Sequence, residues 1–301
     1  MQEGFRFAAI DVGSNAMRLF FCRVLENGEG PTFIKESMIR MPLRLGHDAF
    51  TENKISDETC DKFVNTMYGF NSLIQAYEPI SFKACATEAM RQASNGLDLV
   101  DRVKEETGIN LNIITGKEEA NIIISTHIDR YLQTDQHCLY VDVGGGSTEL
   151  TLIKNKETLF SKSFSIGSVR LLEEQVSADD WSTMKEWIVD KTSTITNIQS
   201  IGSGGNINKI LTLLEKSKGK SVSFKEIKSI IKKIKPFSIH DRIVKLGLRP
   251  DRADVIVHAG KIYSKCMKWS GANNMIVPQV GLADGMISML YDDYNYSLNS
   301  K

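Results

Sequence analysis

The sequence predicts an α/β protein built as two similar lobes, and three observations carry that prediction. The first is an internal repeat: Ala8-Ala9-Ile10-Asp11-Val12-Gly13 matches Leu139-Tyr140-Val141-Asp142-Val143-Gly144 in residue type at each position. In both copies a small or polar turn follows, and then a strand of alternating apolar residues. The second is the alternation of strand-like and helix-like periodicity along the chain. The third is length, since 301 residues are long for one hydrophobic core and comfortable for two. A strand–Asp–Gly-turn–strand unit used twice reads as a duplication. It divides the chain into an N-terminal lobe, 1–126, and a C-terminal lobe, 127–301.

The elements follow in order. A strand runs from Phe5 to Val12, a turn from Gly13 to Asn15, and a second strand from Met17 to Leu25. Asn27-Gly28 marks a hairpin turn into a third strand, through Phe33 to Arg40. Ser56 caps a long helix to about Tyr77, with Pro79 beyond its end. Residues 80–86 form a strand. Asn95 opens a helix to about Thr107, ended by Gly108. Leu111 to Ile114 is a short buried strand, and a helix runs from about Gly116 to Leu132. The pattern restarts after Thr134-Asp135-Gln136. A strand from Cys138 to Val143 leads into Gly144-Gly145-Gly146. Strands 148–153 and 158–165 are joined by a turn at Asn155-Lys156. Helices then dominate, at about 168–174, 179–197, 205–215, 223–235, 251–269 and 282–291, with short strands near 199–202 and 274–277.

Composition excludes several classes. Lys+Arg and Asp+Glu both number 37, so net charge gives no support for non-specific nucleic-acid binding, and a polyanion ligand needs a local basic surface. Five scattered cysteines, Cys22, Cys60, Cys85, Cys138 and Cys266, read as reduced, buried thiols. The start, Met1-Gln2-Glu3-Gly4, has no basic region and no cleavage site. No apolar run approaches the roughly 18 residues of a membrane span. The expected location is the cytoplasm.

The chemistry gathers at the turns. An Asp at a buried strand end is placed to hold a metal or its water shell, which makes Asp11 and Asp142 candidate ligands. Glycines let the backbone approach an anion, and successive N–H groups form a nest for phosphate oxygens. Gly144, Gly145, Gly146 and Ser147 fit this use better than an ordinary hairpin turn, because three consecutive glycines are costly to order. Gly202-Ser203-Gly204-Gly205 lacks the third glycine of a dinucleotide fingerprint, Ile207 standing in its place, yet it opens a helix that can receive an anion. Gly219-Lys220-Ser221 imitates a Walker A ending, but Leu214 stands where that motif needs glycine. There is no nucleophile elbow and no His-Glu-x-x-His. The five histidines are isolated and read as structural or surface residues. Thr115 and Glu118 fit a capping box. Glu119 is then either a dipole-favoured surface acid or a general base for water, and spacing does not decide. Arg91, behind Ala86-Thr87-Glu88-Ala89-Met90, is either a phosphate ligand presented by a short helix or a surface arginine. Residues 223–235 form an amphipathic helix with an apolar stripe of Phe224, Ile227, Ile230, Ile231 and Ile234 and a solvated lysine face.

Together these motifs resemble the exopolyphosphatase and guanosine pentaphosphate phosphatase family. The matching segments are Ile10 to Asn15, Ala86 to Arg91, Thr115 to Ala120, Asp142 to Glu149, Ser165 to Arg170 and Gly202 to Gly205, in the family's order and over most of the chain. The resemblance implies two ribonuclease H-like lobes of the actin, Hsp70 and acetate kinase type, with a ligand cleft between them. It implies magnesium-dependent hydrolysis of a terminal phosphoanhydride and a homodimer. By the same resemblance Glu119 is the base that activates water. Asp142 and Glu149, with Asp11, hold the metal, while Ser14, Asn15, Arg91, Gly144, Gly145, Gly146, Ser147 and Gly204 hold phosphates. Two departures stand out. Ala16 occupies a position where the family commonly has a hydroxyl, and Gly281-Leu282-Ala283-Asp284-Gly285 replaces Gly-Leu-Arg-Glu-Gly. Read as ending at 301, the chain favours a shorter polyphosphate or a nucleotide.

The first functional expectation is hydrolysis of inorganic polyphosphate from its end, releasing orthophosphate. The second is conversion of pppGpp to ppGpp by the same chemistry. Rival classes are a small-molecule kinase, whose turnover requires an acceptor, and a non-catalytic nucleotide- or polyphosphate-binding regulator. No nucleic-acid or membrane partner is expected.

Overall fold

The computed structural model describes residues 4–28, 30–126, 135–155 and 157–299. The chain separates into two compact units, Met1–Thr126 with Gly281–Lys301, and His127–Val280.

The first unit opens with β1 (Phe5–Val12), β2 (Met17–Asn27) and β3 (Gly30–Met41), an antiparallel meander. Phe7 to Ile10 are wholly buried, as a central strand covered on both faces requires. After α1 (Leu45–Thr51) comes α2 (Asp57–Tyr77), whose N-cap Ser56 accepts from the Thr59 N–H as expected. Then follow β4 (Ser81–Ala86), α3 (Glu88–Gln92), α4 (Gly96–Thr107), β5 (Leu111–Ile113) and α5 (Gly116–Ile124). The strands β4 and β5 add in parallel beside β1, so the sheet order is β3-β2-β1-β4-β5.

The second unit repeats the plan. A meander of β6 (His137–Val143), β7 (Thr148–Lys154) and β8 (Glu157–Phe164) leads to α6 (Ser168–Leu172) and α7 (Ala178–Thr192). Then come β9 (Gln199–Ser203), α8 (Gly205–Leu213), β10 (Ser221–Ser223), α9 (Phe224–Ile234), α10 (Ile239–Leu246), α11 (Pro250–Ala253), α12 (Ile256–Ser270) and β11 (Asn274–Ile276). The sheet order is β10-β11-β9-β6-β7-β8, with β9 and β11 parallel to β6 and β10 an antiparallel edge. Without β10 it is the order of the first sheet. The turns agree in detail as well: Gly13 N–H donates to the Ala16 carbonyl at 3.1 Å, and Gly144 N–H to the Ser147 carbonyl at 3.0 Å. The core of this unit packs Leu139, Val141, Ile207, Ile227, Ile256 and Tyr263 between sheet and helices.

Several elements depart from the sequence reading. The last helix, α13 (Leu282–Asn299), runs further than 291 and packs against β1 and α5. It belongs to the first unit, so the expected C-terminal lobe through 301 is corrected to end at Val280. Met286 and Ile287 are buried there, and the Tyr291 hydroxyl donates to Glu26 at 2.8 Å. The single helix expected over 251–269 is two, because Pro250 starts α11 and the helix resets at Val255 before α12. The helix from Thr115 is described to Ile124. Its expected continuation toward Leu132, Thr134 of the restart and Lys156 of the hairpin turn lie outside the described residues, as do Met1 to Glu3. All five cysteines are buried and outside any disulfide. No helix among the described residues is long and apolar enough to cross a membrane.

Candidate functional site

In the second unit the site starts from strand register. The antiparallel pairing of β6 and β7 sets Asp142 opposite Glu149, so both carboxylates project from one face of the sheet. Both are buried, with relative exposures of 9% and 2%. Two carboxylates so placed repel each other and are costly to bury unless positive charge or donors meet them. Glu149 receives two donors: its Oε1 accepts from the Ser147 hydroxyl at 2.6 Å and from the Ser163 hydroxyl at 2.9 Å.

The turn between the strands is held by its carbonyls. The Gly144 oxygen accepts from Ser168 N–H at 3.0 Å and from the Ser168 hydroxyl at 3.1 Å. The Gly145 oxygen accepts from Val169 and Arg170 N–H at 2.8 and 3.1 Å. The Gly146 oxygen accepts from the Arg170 guanidinium Nε at 2.9 Å. With the oxygens fastened to the start of α6, the N–H groups of Gly145 and Gly146 have no backbone acceptor among the described residues. This is the arrangement of an anion nest.

A second turn closes on the same strand end. Gly204 has φ +109°, and a Cβ there would lie 2.8 Å from the Val143 carbonyl oxygen, 2.9 Å from Tyr263 Oη and 3.3 Å from Asp142 Oδ1. Only glycine fits that backbone and that space. The Tyr263 hydroxyl donates to the Ser203 carbonyl. Burial, reinforced by the charge of Asp142, raises this phenol well above its ordinary pKa, so it stays a donor. The Arg252 guanidinium stands beside Gly205, 2.7 Å from where a Cβ would be.

In the first unit the duplicated position is filled differently. Asp11 faces Arg18 across the hairpin, and Arg18 donates to Asp11 Oδ2 at 2.5 Å. The turn oxygens are again tied back, Ser14 O by Gly46 N–H at 2.7 Å and Asn15 O by Arg44 N–H at 3.2 Å. Ser14 is buried and Asn15 half-buried. Ala16 is buried, with 2% exposure, and its carbonyl closes the turn. Thr87 reaches the same strand end, its hydroxyl donating to the Val12 carbonyl at 3.3 Å. Arg91 is held by Glu88 and by the Ile114 carbonyl. A guanidinium has five N–H donors, so these partners fix the group without exhausting it.

The capping box at Thr115 separates the two adjacent acids. Glu118 Oε2 accepts from Thr115 N–H at 2.7 Å and from the Thr115 hydroxyl at 2.8 Å, and its pKa is lowered first by that backbone bond. Glu119 takes no part in the cap and is half-buried. Cys85 of β4 lies opposite Asp11 in the parallel register of β1 and β4. Burial and the charges of Asp11, Glu118 and Glu119 raise its thiol to about 11, against the opposing charge of Lys83.

The structure thus places Asp142, Gly144, Gly145, Gly146, Ser147, Glu149 and Gly204 together in the second unit. Ser14, Asn15, Asp11, Arg91 and Glu119 lie at the equivalent turns of the first. Sequence reasoning did not single out Arg18, Ser163, Arg252 or Tyr263. Arg18 was recoverable, since a four-residue turn from Gly13 to Ala16 sets it opposite Asp11. The other three come from distant segments and carry no local signal.

Two mixed sheets of order 3-2-1-4-5, each with a glycine turn after its first strand, define a two-lobed ribonuclease H-like protein of the actin type. Residues 34–293 match the Ppx/GppA phosphatase family, and the chain belongs to that family. It is 28% identical over 306 residues to a bifunctional 3-dehydroquinate synthase/phosphatase of Fusobacterium nucleatum, covering 92% of this chain and 45% of that protein. To exopolyphosphatase 1 of Mycobacterium bovis it is 29% identical over 174 residues, covering 58% of this chain and 50% of that one. The chain spans about half the length of these curated relatives. Among solved structures, an exopolyphosphatase from Cytophaga hutchinsonii superposes with a TM-score of 0.82 at 24% identity, covering 96% of this chain and 98% of that one.

Proposed function

We propose that this chain hydrolyses the terminal phosphoanhydride bond of inorganic polyphosphate and releases orthophosphate. One observation carries the reading: the carbonyls of Gly144 to Gly146 are fastened while the N–H groups of Gly145 and Gly146 are left for an anion, directly beside the Asp142–Glu149 pair. The family match supports it.

The same pair fits magnesium. No group of three or more His, Cys, Asp or Glu side chains is gathered for a metal among the described residues. Magnesium needs no such cage, because it is commonly held by one or two carboxylates with water and substrate phosphate completing its shell. Asp142 and Glu149 would hold it. Asp11, neutralised by Arg18, is assigned to steadying the first turn instead. Bound there, the ion would neutralise charge on the phosphoryl oxygens.

The chain's own residues do the rest. The Gly145 and Gly146 N–H groups and the Ser147 segment orient the terminal phosphate. Within the first unit, Arg91, Ser14 and Asn15 are the groups assigned to binding phosphate. Glu119 accepts a proton from water as the water oxygen bonds to the terminal phosphorus. The bridging P–O bond breaks, and its electrons leave with the shortened chain.

Release of 5′-terminal phosphate from guanosine pentaphosphate uses the same steps, and membership of the Ppx/GppA phosphatase family supports a phosphatase without choosing between the two substrates. Incubation with each substrate and magnesium, with orthophosphate measured, separates them. Acceptor-independent release excludes a kinase. Glu119→Gln should lower kcat by about 10²–10⁴-fold with substrate binding retained. An unchanged kcat would remove Glu119 from the chemistry, and no phosphate from either substrate would end this reading.

A further inference from the structure

The outer face of α12 carries a concentration of positive charge that the proposed chemistry does not use. Lys261, Lys265 and Lys268 fall within roughly 60° of one another around the helix, opposite the face that buries Tyr263, Cys266, Met267 and Ser270. The lysines meet two indoles. Trp181 of α7 and Trp269 of α12 pack edge to face, with centroids 6.0 Å apart and planes at 69°. Lys265 Nζ lies 4.5 Å from the Trp181 ring and 4.9 Å from the Trp269 ring, and Lys261 Nζ lies 5.5 Å from Trp181. Lys185 stands one helical turn beyond Trp181. None of these four lysines forms an ion pair among the described residues. Of the acids of α7, Asp180 is engaged in the Ser177 cap and Asp190 with Lys191, while Asp179 and Glu186 remain on the helix, Glu186 next to Lys185.

Like charges at this spacing destabilise a helix, and burial followed by Lys261, Lys268 and Lys185 depresses the Lys265 ammonium below its ordinary pKa. The cluster is not a by-product of a basic chain, since the chain's acidic and basic residues balance at 37 each. Cation–π contacts hold the ammonium groups of Lys261 and Lys265. Trp181 and Trp269 are half-buried and already packed against each other and against lysine ammonium groups, which makes them a poor stacking platform for nucleic-acid bases. What is left is a row of positioned cations suited to a bare chain of phosphates.

We propose that this surface of α7 and α12 is an accessory binding site for inorganic polyphosphate, engaging the chain away from the residue being cleaved. The proposal rests on the reading of polyphosphate as substrate, and it revises the expectation of a short substrate.

The test combines Lys261→Ala, Lys265→Ala and Lys268→Ala, with the triple arginine variant as its charge-preserving control. Long-chain polyphosphate binding, followed by retention on a filter and by tryptophan emission, should weaken about tenfold in the alanine variant. The slope of log affinity against log salt should fall by roughly 2 to 3, as expected for losing about three phosphate contacts. The arginine variant should restore both. KM for long chains should rise while kcat and the KM for tripolyphosphate stay at wild-type values. An alanine variant that binds long chains as the wild type does overturns the proposal. So does a loss seen for single-stranded oligonucleotide and not for polyphosphate, or an equal loss for tripolyphosphate. Should the wild type release no phosphate from any chain, the hydrolytic reading falls, while the binding comparison still decides the accessory site.

Discussion

The two aspartates that end the first strand of each unit have opposite partners. Across the hairpin from Asp11 is Arg18, and across from Asp142 is Glu149. In one unit the pair cancels its charge and in the other it doubles it, which is the reason the second pair, and not the first, is proposed for magnesium. Glu149→Gln keeps the shape and the serine donors but removes a charge. It should raise the magnesium concentration for half-maximal activity about tenfold or more, equivalent to ~1.4 kcal/mol or above. A titration that superposes on the wild type would dismiss Glu149 as a ligand. Arg18→Gln should leave that titration unchanged. Its cost should fall between that of exposed and buried pairs, about 1–3 kcal/mol, read from the urea midpoint. At this scale the glycine turn and Asp142 could be picked out from the sequence because a strand end followed by glycines has few other uses, whereas Glu149 entered only through the family resemblance. The distinction between Glu118 and Glu119 was not, because a capping box and a catalytic base draw on the same residue types at the same helix end. The observed bonds from Thr115 to Glu118 assign the cap to Glu118 and not to its neighbour.

Among the elements, α9 shows how a surface helix is fixed at its start. Glu226 accepts from the Ser223 N–H at 2.8 Å and the Ser223 hydroxyl at 2.9 Å, and from Lys216 at 2.8 Å. The Lys216 bond first, then the cap, lowers the Glu226 pKa to about 2 from its ordinary 4.5. A carboxyl depressed on folding stabilises the native state above its unfolded pKa and loses that contribution as pH falls through the folded value. Glu226→Gln should therefore lower the thermal midpoint by roughly 1–3 °C at neutral pH. The difference should shrink below about 4.5 and vanish near 2. A difference that persists at low pH would assign the effect to packing. The long helices were readable because their apolar stripes repeat over several turns, as Ile227, Ile230 and Ile234 do here. Short pieces were not. β10 has three residues, α1 begins without a side-chain cap, and α10 buries none of its residues, so no stripe announces it. Ser238, Asp241 and Gly247 at its two ends were the available signals.

For the whole molecule, the return of α13 to the first unit is the feature that order along the chain conceals. An amphipathic helix shows which of its faces is buried but not which sheet receives it, and the repeat suggested two consecutive lobes. The receiving side is written in contacts distant in sequence. Tyr291 packs edge to face on Phe7 and Phe33, with centroids 6.4 and 5.8 Å apart, and Lys35 pairs with Asp284 at 2.5 Å. That pair also accounts for one departure from the family pattern. Asp284 takes the N–H of Gly281 at 2.9 Å while meeting Lys35, so it serves the seating of the helix. Gly285 crosses α5 so closely that any Cβ would collide with the Ile122 carbonyl. Gly285→Val must push the helices apart, with an overpacking cost of about 1–3 kcal/mol or more. Because β1, β2 and α5 rest on α13, they should lose amide-exchange protection in this variant, while β6, β7 and β9 keep theirs. Equal loss in β6 and β9 would overturn the placement of α13 with the first unit. Retained protection in β1 with loss confined to α13 itself would instead show that the helix covers the sheet without stabilising it.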